Sequence, residues 1–580
     1  MPVLTNTSVT ARLTDEPTGG RGLPGFLRFF QEEPTWYSAL ILAASLLLAR
    51  IAGGYYQFFW EEDELAIAAG VAALVRDSIG SGLYRYGPQL GYYRFAEWID
   101  IVLGSHIQLI PYILKTISAV SGALIPVLGL FSFRHSLTSV ERWIFAAMLA
   151  SNPIIWMSSR YGNSAMLQTA LAACALFLLS NRPRATREML GLVSFGLAVL
   201  VRADAVFLTP AVALLVWWNH PANHLRAFTR IAAFGLTMAV IYAALIGFDP
   251  RMDNIAEATA THFNGRFPTM FWEYLIWAVS PIPLLLSSLG AANLLKTRPR
   301  LLAFGATWCV FPCAFYYTSL TTPRYFLLPS LALAMLSAVG AVDLAQSASR
   351  MMRAVLAWGA VAALSVVHMF VGLGHFTNAA EALMGVAAFV THDGPMPTGG
   401  FLYGTYNPGG TFLKDIRFAT FGENHMDGVG FPELFQELRS AAREGRTAVV
   451  LLDTWFLHGF HYYAQLEGAT YLTKQPGVEF AGETWLQLGD LKIMTVRNQK
   501  QFYEKTGDFR LKACDLIYQM RGNPFPSAWA NSKLGDGVIV RPTAPARRSA
   551  LSEVKEIGSG EPFVRVFEVA PVEENGGAAR

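Results

Sequence analysis

The sequence predicts a polytopic α-helical membrane protein with a water-soluble domain after its last membrane span. Three observations predict it. Hydrophobic residues make up 53% of the 580-residue chain and charged residues only 15%, whereas a soluble globular chain carries nearer a quarter charged residues. Apolar runs of helical length recur between residues 35 and 375. Basic residues gather in short clusters between those runs, the pattern that orients helices in a membrane. The mean hydropathy of +0.34 agrees.

Residues 1–34 contain Arg12, Arg21 and Arg28 but no apolar core, so they are expected to be a cytoplasmic segment and not a cleaved signal. Spans are expected near 35–55, 107–132, 141–158, 164–180, 188–201, 204–219, 230–248, 270–293, 301–319, 325–345 and 353–373, about eleven in all. The runs 188–201 and 204–219 flank Arg202-Ala-Asp204. Two charges inside one continuous helix would be costly in lipid, so a break with both halves inside the bundle is expected.

The basic clusters test this count. With a cytoplasmic N-terminus, Arg134 with Arg142, Arg182 with Arg187, Arg226 with Arg230, Lys296 with Arg300, and Arg350 with Arg353 all fall inside. The other face then receives 56–106, the Ser159–Asn163 turn, the Arg202–Asp204 break, the 249–269 loop, the turn before Arg324 and residues 376–580. The 249–269 loop is long enough to be a flap, with an ordered linker as the plainer reading.

The first outer loop carries four consecutive carboxylates, Glu61, Glu62, Asp63 and Glu64. A helix follows, with Leu65, Ile67, Ala68, Val71, Leu74 and Val75 on its apolar side. It is expected to lie flat on the membrane. The acids at its start could cap it and complement its dipole. Alternatively, one of them is a general base for an incoming hydroxyl or amine, its pKa raised by crowding. Arg160, Arg202 and Arg324 reach the same face. Each could bind a phosphate through paired N–H groups or simply snorkel. Arg202 is the strongest of the three, because its surroundings are apolar.

The four cysteines, Cys174, Cys309, Cys313 and Cys514, are widely spread or lie in apolar runs, which reads as packing. A net charge of +3, spread in clusters, suits membrane lipid as a partner and no nucleic acid. No glycine-rich nucleotide loop is present.

These segments together resemble the GT-C fold glycosyltransferases, in particular the bacterial branch of protein O-mannosyltransferases and the lipid A aminoarabinose transferase. The resemblance rests on Asp63-Glu64-Leu-Ala-Ile-Ala-Ala, Tyr84-Arg-Tyr-Gly-Pro-Gln-Leu-Gly-Tyr-Tyr, Asn152-Pro, Ser159-Arg-Tyr-Gly-Asn163 and Arg324-Tyr-Phe-Leu-Leu-Pro329. It covers residues 35–375. Where many relatives have a second acid after the third span, this chain has Asn163.

The resemblance implies transfer of a hexosyl or pentosyl group from a polyprenyl-phosphate donor to an envelope glycan, lipid or protein in the bacterial inner membrane, with inversion. It implies Asp63 as the catalytic base with Glu64 beside it, and Arg202, Arg324, Tyr325 and Arg160 at the donor phosphate. Glu62, Tyr84, Arg85, Tyr86, Asn163 and Asp204 are then the expected substrate contacts. No cofactor is required, and a divalent metal is left open. A lipid or sugar flippase is the alternative, since transporters also break helices around intramembrane charges. A non-catalytic assembly protein is a third reading.

Residues 376–580 read as a small α/β or α+β domain. An amphipathic helix is expected over Phe431–Glu444, with strands at Thr447–Asp453 and Leu491–Val496. His458 and His461 suggest a metal or a sugar-binding surface, with a plain structural role as the simpler reading. The tail after Glu573 is expected to be disordered.

Overall fold

The computed structural model describes residues 32–54, 62–75, 89–104, 106–159, 162–181, 185–221, 223–247, scattered positions in 271–279, then 281–318, 323–347, 431–443, 448–451, 457–471, 483–496, 516–520, 538–542 and 564–571. The expected span at 353–373, the 249–269 loop, Cys514 and the tail after Glu573 lie outside them.

Helices dominate the first part. Helix α1 covers Trp36–Gly54, α2 Glu62–Val75 and α3 Leu90–Val102. A short 3-10 turn, Ile107–Leu109, leads into α4, Ile110–Phe131. The expected span at 141–158 is two helices, α5 (Ser139–Ser151) and α6 (Pro153–Ser158). The residue between them explains the break: Asn152 Oδ1 accepts from the N–H groups of Ile154 and Ile155, capping the helix that Pro153 starts.

Then come α7 (Ser164–Leu179), α8 (Ala185–Val201), α9 (Thr209–Asn219), α10 (His224–Gly247), α11 (Pro281–Thr297), α12 (Pro299–Thr318) and α13 (Leu327–Ser347). Ile107–Phe131, Pro299–Thr318 and Arg324–Gln346 are long and apolar enough to cross a membrane. Trp36–Leu48, Ser164–Leu179, Ala203–Asn219 and Ile282–Thr297 are shorter apolar helices. One large apolar cluster, including Phe145, Leu176, Phe195, Trp308 and Met335, joins α5 and α7–α13.

At one end of the bundle, basic residues expected only to set orientation also form ion pairs. Thr138 and Glu141 make a reciprocal capping box at the start of α5. The Glu141 carboxylate also receives both terminal nitrogens of Arg298, from the α11–α12 junction. Arg142, fully buried, donates to Glu33 at 2.6 Å. Burial pushes the Glu33 carboxyl up, but the Arg142 hydrogen bond and charge more than offset it, so its pKa is lowered. Glu188 of α8, fully buried, holds Arg230 at 2.6 Å and His220 at 3.0 Å.

The expected surface helix, α2, is the clearest correction. Ile67, Ala68, Ala69, Val71, Ala72 and Leu74 are all buried. A helix flat on lipid would keep one side open, whereas this stretch is covered all round by protein. The apolar surface lies on α3 instead, where Phe95, Trp98, Ile101 and Val102 are exposed, Trp98 to 60%. Exposed aromatic and aliphatic side chains along one short helix suit the lipid interface.

After residue 431 the chain forms α14 (Phe431–Arg443), β1 (Ala448–Leu451), α15 (Leu457–Leu466), β2 (Thr470–Tyr471), β3 (Glu483–Leu488), β4 (Leu491–Val496), β5 (Leu516–Met520), β6 (Val538–Pro542) and β7 (Val564–Pro571). The strands make one mixed sheet, ordered β2-β3-β4-β1-β5-β7-β6. β1 runs parallel to β4 and β5, and the other pairs are antiparallel. Helix α14 and the strands β1 and β4 fall where the sequence predicts them. Phe435, Leu438, Phe460, Val450, Leu486 and Ile493 form the core.

Helix α15 seats this region on the bundle. Gln465 Nε2 donates to the Ala69 carbonyl of α2, and the Tyr462 hydroxyl to the Ile107 carbonyl. His461 is fully buried, so it does not stand on an open sugar-binding surface.

Candidate active site at the helix break

The break expected at Arg202–Asp204 is present. Helix α8 ends at Val201, Arg202 is extended (φ −156°, ψ 122°), and Ala203–Leu208 forms a 3-10 turn before α9. The turn places Asp204 two residues beyond Arg202. Arg202 Nε donates to both Asp204 oxygens, at 3.1 and 3.2 Å. The two side chains are only 11% and 12% exposed.

Such a pair survives in apolar surroundings only when its remaining lone pairs are satisfied. Gln168 of α7 donates to Asp204 Oδ1 at 2.5 Å, and the same amide nitrogen to the Arg202 carbonyl at 3.1 Å. The Tyr316 hydroxyl of α12 donates to Asp204 Oδ2 at 3.1 Å.

Tyr325 supplies the floor. The Arg202 guanidinium carbon lies 4.6 Å from the centre of its ring, within cation–π range. Tyr325 in turn stacks on Tyr316 with centroids 5.3 Å apart. Arg324, half-buried, precedes Tyr325 in the 3-10 turn Pro323–Phe326. Arg202, Asp204 and Tyr325, three residues singled out from the sequence, are therefore together.

The acid-bearing helix is tied to this break. Glu62, Asp63 and Glu64 form the first turn of α2, the positive end of its dipole; their side chains lie outside the described residues. Further along α2, Ile67, Ala68 and Val71 pack in one apolar cluster with Val201, the residue before Arg202. Helix α3 closes on the same point. A Cβ on Gly91 would stand 2.6 Å from the Leu200 carbonyl oxygen, so only glycine allows this approach. Ser164 Oγ donates to Gln89 Oε1 at 2.6 Å, linking α7 to the start of α3.

Asn163 is engaged as a cap. Its side chain accepts from Ala165 N, and its own N–H donates to Ser118 Oγ. Asp204, expected at substrate, is likewise occupied by three protein donors. Tyr84, Arg85, Tyr86 and Arg160 lie outside the described residues. Among the described residues, no three His, Cys, Asp or Glu side chains converge as a metal site would require.

Four buried polar residues were not singled out from the sequence. Gln168 and Tyr316 hold Asp204. Lys115 is buried to 1% exposure one turn into α4, on the face that carries Ser118. Asp100 of α3 is fully buried, and neither carboxylate oxygen meets a hydrogen-bond donor among the described residues. Burial raises its pKa, with the charge of His106 pulling the other way. A single lysine in an apolar run was the available signal for Lys115.

No family model and no curated protein matches this chain. Solved structures do. ArnT from Cupriavidus metallidurans bound to undecaprenyl phosphate is 12% identical, with a TM-score of 0.53 over 91% of this chain and 97% of its own. The oligosaccharyltransferase AglB from Archaeoglobus fulgidus, in complex with an inhibitory peptide and a dolichol-phosphate, is 11% identical, with a TM-score of 0.48 over 86% of this chain and 70% of its own. The arabinofuranosyltransferase AftD from Mycobacteria is 13% identical, with a TM-score of 0.46 over 93% of this chain and 40% of its own. The ArnT score passes 0.5 and carries the assignment: the chain has the GT-C fold, as its sequence motifs implied.

Proposed function

We propose that this protein is an integral membrane glycosyltransferase. It moves a sugar from a polyprenyl-phosphate donor to an envelope lipid, polysaccharide or protein on the outer face of the bacterial inner membrane. The observation that carries this reading is the Arg202 guanidinium, fixed at a helix break in an apolar bundle, where the preceding residue Val201 shares one apolar cluster with the helix that begins with Glu62, Asp63 and Glu64. That ArnT binds undecaprenyl phosphate supports a lipid-linked donor.

In this reading Asp63 takes the proton of the acceptor hydroxyl or amine as that group attacks the anomeric carbon. The bond from that carbon to the phosphate oxygen breaks, and the phosphate leaves with the electron pair. Arg202, with Arg324 and Arg160, stabilises the charge that develops there. One displacement inverts the anomeric carbon. Glu64 supports the base, while Glu62, Tyr84, Arg85, Tyr86 and Asn163 remain the proposed substrate contacts. Asp204 is reassigned from substrate to holding Arg202. About eleven spans, a cytoplasmic N-terminus and a periplasmic 376–580 region complete the reading.

The test is sugar transfer by purified protein, wild type against Asp63→Asn, with a panel of polyprenyl-phosphate sugars and extracted envelope acceptors. Transfer by wild type that the variant loses, with donor binding kept, supports both the activity and the base. Equal transfer by both removes Asp63 from the mechanism. Lipid translocation in vesicles without transfer would favour the flippase.

A further inference from the structure

The polar network at the break contains more than an arginine and its counter-ion. We propose that Gln168 and Tyr316 are positioning residues for phosphate recognition: they fill the two oxygens of Asp204, and so fix the carboxylate that holds Arg202 by its Nε. The proposal rests on the reading that Arg202 meets the phosphate of a lipid donor.

An arginine side chain is flexible and loses considerable rotamer entropy when it is ordered. Here three contacts remove that freedom before a ligand arrives. Nε is bound to Asp204, one face of the guanidinium lies over Tyr325, and the backbone carbonyl of Arg202 is held by Gln168. With Nε bound to Asp204 and one face over Tyr325, whose side chain also hydrogen-bonds the guanidinium, Nη1 and Nη2 are the nitrogens that would meet a second anion. Together they match two oxygens of a phosphate.

Asp204 can serve as the anchor only if it cannot swing. The Gln168 amide and the Tyr316 hydroxyl approach different oxygens of it, from α7 and α12. Both donors are buried, Gln168 to 1% exposure and Tyr316 to 1%. Two helices therefore set the direction of one guanidinium, by donors that need not touch the substrate.

The experiment measures binding of undecaprenyl phosphate to the full-length protein in detergent, by native mass spectrometry, with inorganic phosphate as competitor. The variants are Tyr316→Phe, Gln168→Leu, Arg202→Ala and the double variant Tyr316→Phe/Arg202→Ala. Tyr316→Phe and Gln168→Leu should each weaken binding about tenfold, the loss of one hydrogen bond to a charged group. Arg202→Ala should weaken it more, and adding Tyr316→Phe to it should change nothing further, because the tyrosine acts only through the arginine.

Losses that add in the double variant would overturn the proposal, as would unchanged binding in both Tyr316→Phe and Gln168→Leu beside a weakened Arg202→Ala. Wild-type binding by Arg202→Ala would instead remove the phosphate reading of Arg202 itself. Competition by inorganic phosphate as strong as by the lipid would overturn a lipid ligand.

Discussion

Gly290 of α11 and Gly340 of α13 face each other with their backbones in contact. A Cβ on Gly290 would collide with the Leu336 carbonyl oxygen, and one on Gly340 with that of Leu286. The obstacle is backbone in both cases, so no side-chain rotation relieves it. Close approach through small residues is a main source of helix association where water cannot drive it. Ser337 Oγ, which donates to the Pro283 carbonyl, and Asn293, which donates to Asp343 at 2.7 Å, add hydrogen bonds along the same seam. Gly340→Ala should cost about 3 kcal/mol or more. Thermal unfolding in detergent checks this; a melting temperature within about 1 °C of wild type would contradict the packing.

The buried Glu188 makes a second prediction. It neutralises Arg230 and holds His220 at the far end of the bundle from Arg202. Glu188→Gln keeps the shape and removes the charge, leaving a cation with no counter-ion. The expected loss is about 3 kcal/mol. Urea unfolding of the variant against wild type measures it. Changing Arg230 to methionine in the same variant should restore part of the loss.

Asp100 predicts how stability varies with pH. Its folded-state pKa is raised, so the folded protein keeps a proton that the unfolded chain has already lost. The stability it contributes is complete below the ordinary carboxylate pKa and falls as pH rises through the raised value. Asp100→Asn should therefore melt higher than wild type near about pH 8, with the difference closing towards about pH 4. Melting curves across that range test it. Parallel curves for the two proteins would show that the fold does not raise the Asp100 pKa. Because Tyr462 of α15 is buried in the same region and feels the Asp100 charge, protease access to α15 gives a local readout.

Several of these features were legible in the sequence, for identifiable physical reasons. The break at Arg202 could be read because two charges in an apolar run leave the chain few alternatives. The acid cluster and the pairing of Arg324 with Tyr325 stood out for the same reason. The environment of α2 could not be read this way. Its periodicity describes one apolar side, but the cover on its other side comes from α15, with Gln465 meeting Ala69 across 396 residues. Gln168 and Tyr316 were equally obscure. An amide and a phenol are unremarkable in apolar helices until folding brings them to Asp204, across 36 and 112 residues.

The exposed apolar side of α3 ties the site to the thickness of the bilayer. Phe95, Trp98, Ile101 and Val102 would ride at the level of the lipid headgroups, while Gly91 of the same helix is in contact with Leu200, two residues before Arg202. A membrane that thins or thickens would tilt α3 or shift its depth, at a cost of fractions of a kcal/mol per Å. Through the Gly91 contact, that displacement reaches the arginine at the break. The lipid around this protein would then be more than its solvent: acyl-chain length would tune the site much as a point mutation does, and vesicles of graded chain length would reveal an optimum.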